Sequence, residues 1–369
     1  MAYAGLTNKI QVQWPDGALS DRSQWVTYSA DLQQRILLDF AGGKLVVEAV
    51  VDEDEPRGAQ LQTAIEFGRQ IIQADAQELE SKDLLRLEIN QNLQDVAMLK
   101  PAPRISSQQT AINQIIPPAY YQQAVAGITP ATGANADGDS RPNTADNATQ
   151  SVSEKPAEYL PLPPQVEVYQ ENGLSKIRFQ IDFVNEFQKI LVQNYQDDIQ
   201  LYAREYGIAV SIILAIIETE SSFNPRAVSP VPAFGLMQLV PKTAGVDAYQ
   251  LVYGEQQVVS PDFLFDEKNN LQLGSAYFYL LMNRYLKNIK DDTARFYCAV
   301  VSYNTGVGNL SLTFVGKKNI KQAVSKINTM TSAQVYAYLL EHLAAEETVN
   351  YLQKIVKRRD KYTYLDFET

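Results

Sequence analysis

The sequence predicts an α+β fold, in which an N-terminal α/β domain with hairpins and a helix precedes an all-helical domain. Strand-like runs joined by short turns occupy the first half of the chain. From Asn185 onward nearly every segment looks helical. The length of 369 residues is enough for two domains, each with its own core. We therefore predict an accessory domain at 1–187 and a helical domain at 188–369.

The predicted N-terminal domain contains two hairpins and one helix. Runs 34–40 and 45–51 flank a Gly-containing turn, which is typical of a β-hairpin. Residues 60–73 place their apolar side chains roughly on one side of a helix. A second hairpin is predicted at 165–184, because Asn172-Gly173 is a strong two-residue turn signal. This hairpin is expected to complete the sheet that the first one begins.

A polar segment separates the first helix from the second hairpin. Residues at about 105–164 are rich in Pro, Ala, Gly, Asn, Asp, Ser and Thr, most clearly after Ala126. Such a composition buries too little apolar surface to offset the entropy lost on ordering. We therefore predict a mobile insertion there.

The second half of the chain is predicted to be helical almost throughout. The expected helices are 187–206, 210–221, 241–244, 269–287, 294–303, 332–343 and about 348–361.

The composition excludes several kinds of chemistry. His342 and Cys298 are the only histidine and cysteine, so a zinc site or an intrachain disulfide is not expected. A Ser-His-Asp triad would have to use His342, which lies in a polar stretch typical of a surface. The net charge of -11 argues against nucleic acid as a partner. We expect neither a metal nor another cofactor.

No segment is long and apolar enough to predict a transmembrane helix. The first residues show no charged region followed by an apolar one, as a secretory signal would. Either the protein is not exported by that route, or its signal is missing from this chain.

Glu220 lies at the end of a strongly apolar run. Residues 208–217 predict a buried helix, and Glu218 and Glu220 come directly after them. Burial disfavours a charged carboxylate, so Glu220 is expected to hold its proton near neutral pH and to be available as a general acid. Glu218, two residues earlier, would point roughly to the opposite side and is interpreted as a surface or salt-bridged residue.

Five short motifs around Glu220 resemble those of the lysozyme-like lytic murein transglycosylases. In chain order they are residues 220–225 (ESSFNP), 229–230 (SP), 235–238 (GLMQ), 303–306 (YNTG) and 347–351 (ETVNY). Residues 260–266 (SPDFLFD) and 327–331 (INTMT) are similar to a membrane-bound branch of that family. The resemblance covers the chain from about Tyr202 to Tyr351 and is weaker in the N-terminal domain.

The resemblance implies a lysozyme-like catalytic domain that cleaves the MurNAc-GlcNAc β-1,4 bond of peptidoglycan without water, giving 1,6-anhydroMurNAc ends. Glu220 would carry both proton transfers. The resemblance also implies substrate-binding roles for five residues in or beside the cleft: Ser229, Gln238, Tyr303, Asn304 and Tyr351. Turn formation before Pro230 is the alternative for Ser229. The chain departs from the family pattern at Phe234, which we expect to narrow or reshape a subsite.

Two other functions stay open at this point. A lysozyme-type hydrolase would use water in place of the sugar's own C6 hydroxyl and would need a general base, for which the sequence offers no convincing candidate. A catalytically decayed peptidoglycan-binding protein is the other alternative. The family resemblance implies peptidoglycan glycan strands as the partner and a location in the periplasm or at the periplasmic face of the outer membrane of a Gram-negative bacterium. Cell-wall machinery proteins are expected at the N-terminal domain, and membrane contact only through a lipid anchor absent from this chain.

Overall fold

The computed structural model describes residues 4–92, 111–126, 128 and 164–367. The N-terminal half contains a five-stranded sheet and six helices within these ranges. Its elements are α1 (Ala4–Ile10), β1 (Gln24–Tyr28), β2 (Gln34–Asp39), β3 (Lys44–Val50), α2 (Arg57–Gln73), α3 (Ala76–Lys82), α4 (Leu84–Asn92), α5 (Ala111–Ile115), α6 (Pro118–Ala126), β4 (Val166–Glu171) and β5 (Leu174–Asp182).

All strand pairs in the sheet are antiparallel, in the order β1-β2-β3-β5-β4. Both predicted hairpins are confirmed, and β5 pairs with β3, so the second hairpin completes the sheet of the first. Asn172 and Gly173 have φ of 50° and 81°, as a tight hairpin turn between two right-twisted strands requires.

The two faces of the sheet differ in chemistry. Because side chains alternate along a strand, Trp25, Leu38 and Leu45 share the inner face and are buried. Arg35, Glu48 and Arg178 are cross-strand neighbours on the outer face, where both arginines are ion-paired with Glu48. The inner face therefore packs in the hydrophobic core, and the outer face is held by alternating charges.

The second half of the described chain is helical. It consists of α7 (Phe187–Tyr206), α8 (Val210–Glu220), α9 (Ala244–Tyr253), α10 (Pro261–Phe265), α11 (Glu267–Leu280) with a π-helical turn (Leu281–Tyr285), α12 (Asp292–Thr305), α13 (Val307–Val315), α14 (Ile320–Ile327), α15 (Ser332–His342), α16 (Glu346–Tyr362) and a 3₁₀ turn (Thr363–Phe367). This confirms the α+β class. None of the helices in the described ranges is long and apolar enough to cross a membrane.

The predicted mobile insertion at 105–164 is wrong for its described helical part. Residues 111–126 form α5 and α6, with Ile115, Ile116 and Tyr121 fully buried. The Tyr121 hydroxyl donates a hydrogen bond to the carbonyl of Ile65 on α2 (2.8 Å). A few apolar side chains in a polar stretch are thus enough to dock two short helices. Residues 129–163 lie outside the described residues.

Several element bounds also differ from the predictions. The helix predicted at 241–244 begins only at Ala244 and continues to Tyr253. Strand β1 and helices α13 and α14 were not predicted. Short elements such as these are built by tertiary packing more than by local propensity, which explains why the pattern of apolar residues did not predict them.

The sheet half and the helical half are packed together. Arg86 Nε and Asn90 Nδ2 of α4 donate to the two carboxyl oxygens of Asp262 on α10, at 2.6 and 3.0 Å. Leu85 and Ile89 are buried in one cluster with Phe234 of the helical half. These contacts hold the predicted accessory domain against the segment that follows α8.

Candidate active site

Glu220 is the last residue of α8, and its side chain is buried. The residue is 4% exposed, although it is a carboxylic acid. Desolvation raises its pKa from the ordinary value of 4.5 to about 7. The carboxyl also lies at the C-terminal end of a helix, where the helix dipole disfavours negative charge. The burial that the apolar run predicted is therefore confirmed.

Helix α8 has the sequence needed to bury such a group. Its apolar residues fill the interior against α7 and α16. Ser221 ends the helix, and Ser222 and Phe223 then adopt positive φ of 51° and 66°. Left-handed conformations are unusual for such residues and require support from the surrounding structure. The chain therefore changes direction sharply directly after Glu220.

Glu218 is held by ion pairs and a hydrogen bond and has a structural role. Its carboxylate pairs with Arg358 and Lys361, each at 3.1 Å, and accepts a hydrogen bond from the Tyr362 hydroxyl at 2.6 Å. All three partners come from α16, so Glu218 fastens α8 to that helix. The salt-bridged interpretation of Glu218 is confirmed.

Tyr351 on α16 is also buried beside Glu220. Its hydroxyl lowers the pKa of the Glu220 carboxyl, opposing part of the effect of burial. No described residue lies at ordinary hydrogen-bonding geometry from this hydroxyl. Burial and the neighbouring Glu220 raise the pKa of Tyr351 well above 10, so the hydroxyl keeps its proton.

Gln238 shapes the loop between α8 and α9. Its Nε2 donates to the carbonyls of Ala227 (2.9 Å) and Gly235 (3.0 Å), while its Oε1 is buried without a partner in the described structure. Gln238 itself has a positive φ of 49°. The side chain therefore fixes the loop and leaves one acceptor that no described residue donates to.

Asn270 on α11 holds the same loop from the other side. Fully buried, it accepts a hydrogen bond from the Met237 N–H (2.7 Å) and donates to the carbonyls of Phe234 and Leu264 (both 2.8 Å). Gly235 has φ +75°, and a Cβ there would come within 2.3 Å of the Leu264 carbonyl oxygen. The loop is thus tightly fitted at Gly235.

Asn270→Ala is expected to destabilise the fold by about 3 kcal/mol, because one N–H and two carbonyls lose their buried partner. Urea unfolding of both proteins measures this change. Asn269→Ala is the matched control, because the bond from Asn269 to Asp266 is made by the backbone N–H and is kept. An equal loss in both variants would contradict the assigned role of Asn270.

Tyr303 and Asn304 lie in the last turn of α12, next to this loop. The Tyr303 hydroxyl donates to the carbonyl of Met237 (2.9 Å), and Glu220 is near enough to raise the pKa of Tyr303 further, after burial. Asn304 Oδ1 accepts a hydrogen bond from the Thr348 hydroxyl of α16 (3.0 Å). Both side chains therefore connect α12 to the other walls of the site.

The contacts of Ser229 are those of a turn. Its hydroxyl bonds to the Val231 carbonyl and accepts from the Ala233 N–H at 3.2 Å. The expectation that Phe234 narrows a subsite is wrong: Phe234 is 2% exposed and packs edge-on against Phe265, with ring centroids 5.5 Å apart. Burial of this apolar ring in the cluster with Leu85 and Ile89 removes its surface from water, which stabilises the fold.

The structure brings Glu220, Tyr303 and Tyr351 together, with the Gln238 loop bonded to Tyr303. Sequence reasoning missed Asn270, because a buried asparagine has no local signature on a helix. It also missed Arg22, which precedes β1 and acts electrostatically on Glu220. No group of three or more metal-ligating side chains occurs in the ranges described.

Comparison with known proteins agrees with this geometry. Residues 197–330 match the model of the family described as Transglycosylase SLT domain. Membrane-bound lytic murein transglycosylase C of Yersinia pestis (strain Pestoides F) and of Yersinia pseudotuberculosis (serotype O:1b, strain IP 31758) are each 42% identical over 160 residues, or 43% of this chain and 44% of theirs. The chain thus matches less than half the length of these curated relatives.

Among solved structures, the 70 kDa soluble lytic transglycosylase of Escherichia coli is similar at 24% identity and a TM-score of 0.36. This similarity covers 46% of the present chain and 24% of that chain. Residues 197–330, which include Glu220, Gln238 and Tyr303, are thus similar to the transglycosylase SLT domain, in a chain similar over 160 residues to membrane-bound lytic murein transglycosylase C.

Proposed function

We propose that this protein is a lytic murein transglycosylase. It cleaves the β-1,4 bond between N-acetylmuramic acid and N-acetylglucosamine in peptidoglycan and leaves 1,6-anhydromuramic acid ends. The observation that carries the proposal is the buried Glu220 carboxyl, whose pKa of about 7 keeps much of it protonated at neutral pH. Its position within the matched SLT domain supports the same substrate class.

In the first step Glu220 acts as a general acid. Its proton passes to the glycosidic oxygen while the bond from that oxygen to C1 of the muramoyl sugar breaks. Positive charge develops at C1, and the carboxylate that forms is close to it. A carboxyl poised near the working pH suits this transfer, because the protonated form is populated and the proton is still readily given up.

In the second step Glu220 acts as a general base. The C6 hydroxyl of the same sugar forms a bond to C1, and its proton returns to the carboxylate, which restores the starting state. An intramolecular nucleophile has a high effective concentration, so no second carboxylate is required to attack C1 or to activate water. Glycosidases that use two acids differ in this respect.

The other carboxylates near Glu220 support this choice over hydrolysis. Glu218 is committed to its partners on α16. Glu347 is near enough to raise the pKa of Glu220, but its side chain is 72% exposed and is paired with Arg22. A hydrolase needs a general base held over a water molecule, and neither side chain is free and rigid enough to serve.

The remaining cleft residues are proposed to bind the sugar or to support the acid. Tyr351 orients the Glu220 carboxyl through its hydroxyl. Gln238 offers Oε1 to a sugar hydroxyl or acetamido N–H, and Asn304 contacts an N-acetyl group. Tyr303 provides an aromatic wall. Ser229 contributes through the turn that it forms.

We also propose an envelope location, in the periplasm or at the periplasmic face of the outer membrane, because the substrate class is found there and the relatives are named as membrane-bound. Binding of cell-wall proteins by the N-terminal half stays a prediction.

Release of soluble fragments from purified sacculi tests the proposed function. The protein is expected to solubilise sacculi over time, which is followed as a fall in turbidity together with fragments in the supernatant. Co-sedimentation with sacculi without any released fragment would contradict the enzyme and support a binding protein.

A further inference from the structure

Arg22, in the sheet half of the molecule, acts electrostatically on the Glu220 carboxyl. It lies in a short turn, residues 21–24, which we call the Asp21 turn. The Arg22 guanidinium pairs with Glu347 of α16 at 3.4 Å, and both charges act on Glu220. Arg22 lowers the pKa of Glu220, and Glu347 raises it.

The Asp21 turn is rigid in itself. The Asp21 carboxylate accepts hydrogen bonds from the backbone N–H groups of Ser23 and Gln24, both at 2.7 Å. An aspartate that caps its own turn in this way fixes the backbone two and three residues on. The backbone of Arg22 is therefore fixed in position, even though its side chain is 40% exposed.

The same turn is docked on the segment that leaves the catalytic helix. The Asp21 carbonyl accepts from the Val228 N–H (3.3 Å) and the Asn224 Nδ2 (3.5 Å). Trp25 directly follows the Asp21 turn on β1. Its indole donates to Asp83 (2.9 Å), and the Arg226 guanidinium lies over its ring at 5.5 Å. These contacts set the position of the sheet half relative to Glu220.

We propose that Arg22, supplied by the sheet half, and its partner Glu347 are positioning residues that bias the protonation of Glu220 in opposite directions. The inference rests on the proposed role of Glu220 as the acid and assigns the N-terminal half a part in the chemistry. Among the described residues, the ionisable groups that interact electrostatically with Glu220 are Arg22, Glu347, Tyr351 and Tyr303. The two tyrosines stay neutral because burial raises their pKa values well above 10, so Arg22 and Glu347 are the charged members.

Substitutions at the two positions are expected to move the alkaline limb of kcat/KM in opposite directions. Arg22→Ala removes a positive charge, so the limb moves to higher pH. Glu347→Gln removes a negative charge, so it moves to lower pH. Each shift is expected to be on the order of half a pH unit, as for one unit charge near a group at a solvent-exposed site. Arg22→Lys keeps the charge and is expected to restore the wild-type profile.

Arg69→Ala is the matched control, because Arg69 is also in the sheet half, is 39% exposed and is paired with Glu66 at 2.7 Å. It is expected to leave the profile unchanged. The double variant of Arg22→Ala and Glu347→Gln is expected to return close to wild type, because the opposite charges are removed together.

A second readout does not depend on cleavage. The pKa of Glu220 is also obtained from the pH dependence of unfolding, by subtracting from the curve of each variant the curve of the same variant that also carries Glu220→Gln. Opposite shifts in that quantity support the pair even if no sugar bond is cut, which separates this inference from the proposed function. Shifts in the same direction, or none beyond that of Arg69→Ala, would overturn it.

Discussion

Glu220→Gln is expected to abolish peptidoglycan cleavage while the protein stays folded. Glutamine has nearly the shape of the protonated acid but no proton to give, so the glycosidic oxygen would leave as an unprotonated alkoxide. Loss of a general acid costs about 100- to 10,000-fold in rate. Release of soluble fragments from sacculi gives the rate, and circular dichroism with co-sedimentation checks the fold and the binding of the substrate.

Glu218→Gln is the matched control two residues away on the same helix. It removes a carboxylate that pairs with Arg358 and Lys361 on α16, so it is expected to lower stability and to retain cleavage per folded molecule. Normal activity in Glu220→Gln, or an equal loss in both variants, would remove Glu220 from the catalytic role.

Glu220→Gln is also expected to stabilise the protein at alkaline pH. The Glu220 carboxyl has a pKa of about 7 in the fold and an ordinary value of 4.5. The folded state therefore binds this proton more tightly than the unfolded state does. The resulting stability is fully present below about pH 4.5 and is lost as the pH rises through about 7. Above that, wild type carries a buried carboxylate, and the glutamine variant does not.

Urea unfolding of wild type and Glu220→Gln at about pH 5 and about pH 8.5 measures this difference. We expect the variant to gain about 3 kcal/mol relative to wild type at the higher pH and much less at the lower pH. Other titrating groups are common to both proteins and cancel in the comparison. A difference that does not change with pH would mean that the carboxylate is not desolvated, and the physical basis for the general acid would be lost.

The helical half and the acid were predictable because their signals are local. Helix α8 is an almost continuous run of apolar residues, so the sequence alone predicts that it is buried. The same run predicts that Glu220, at its end, is buried too. The Asn172-Gly173 turn likewise needs φ values that few other residues adopt, so the second hairpin was predictable from the sequence.

The features that were not predicted depend on contacts between distant parts of the chain. Arg22 and Glu347 are far apart in sequence, and an exposed arginine in a turn has no pattern of its own. Asn270 acts through two backbone groups of the loop between α8 and α9 and one carbonyl of α10. The docked α5 and α6 depend on Tyr121 reaching α2, which composition does not reveal.

Phe234 shows the converse error. A bulky residue next to the motif at 235–238 favours a narrowed subsite, whereas the backbone of Phe234 bridges to Leu239 and its ring packs on Phe265. Motif position therefore predicted the loop but not the direction of the side chain.

The mass of the fragments released from purified sacculi tests the central claim most directly. Cleavage by attack of the sugar's own C6 hydroxyl is expected to give 1,6-anhydromuramic acid ends, with no oxygen taken from isotopically labelled water. Fragments with reducing ends, heavier by one water and carrying its label, would contradict the transglycosylase account and would show a hydrolase instead.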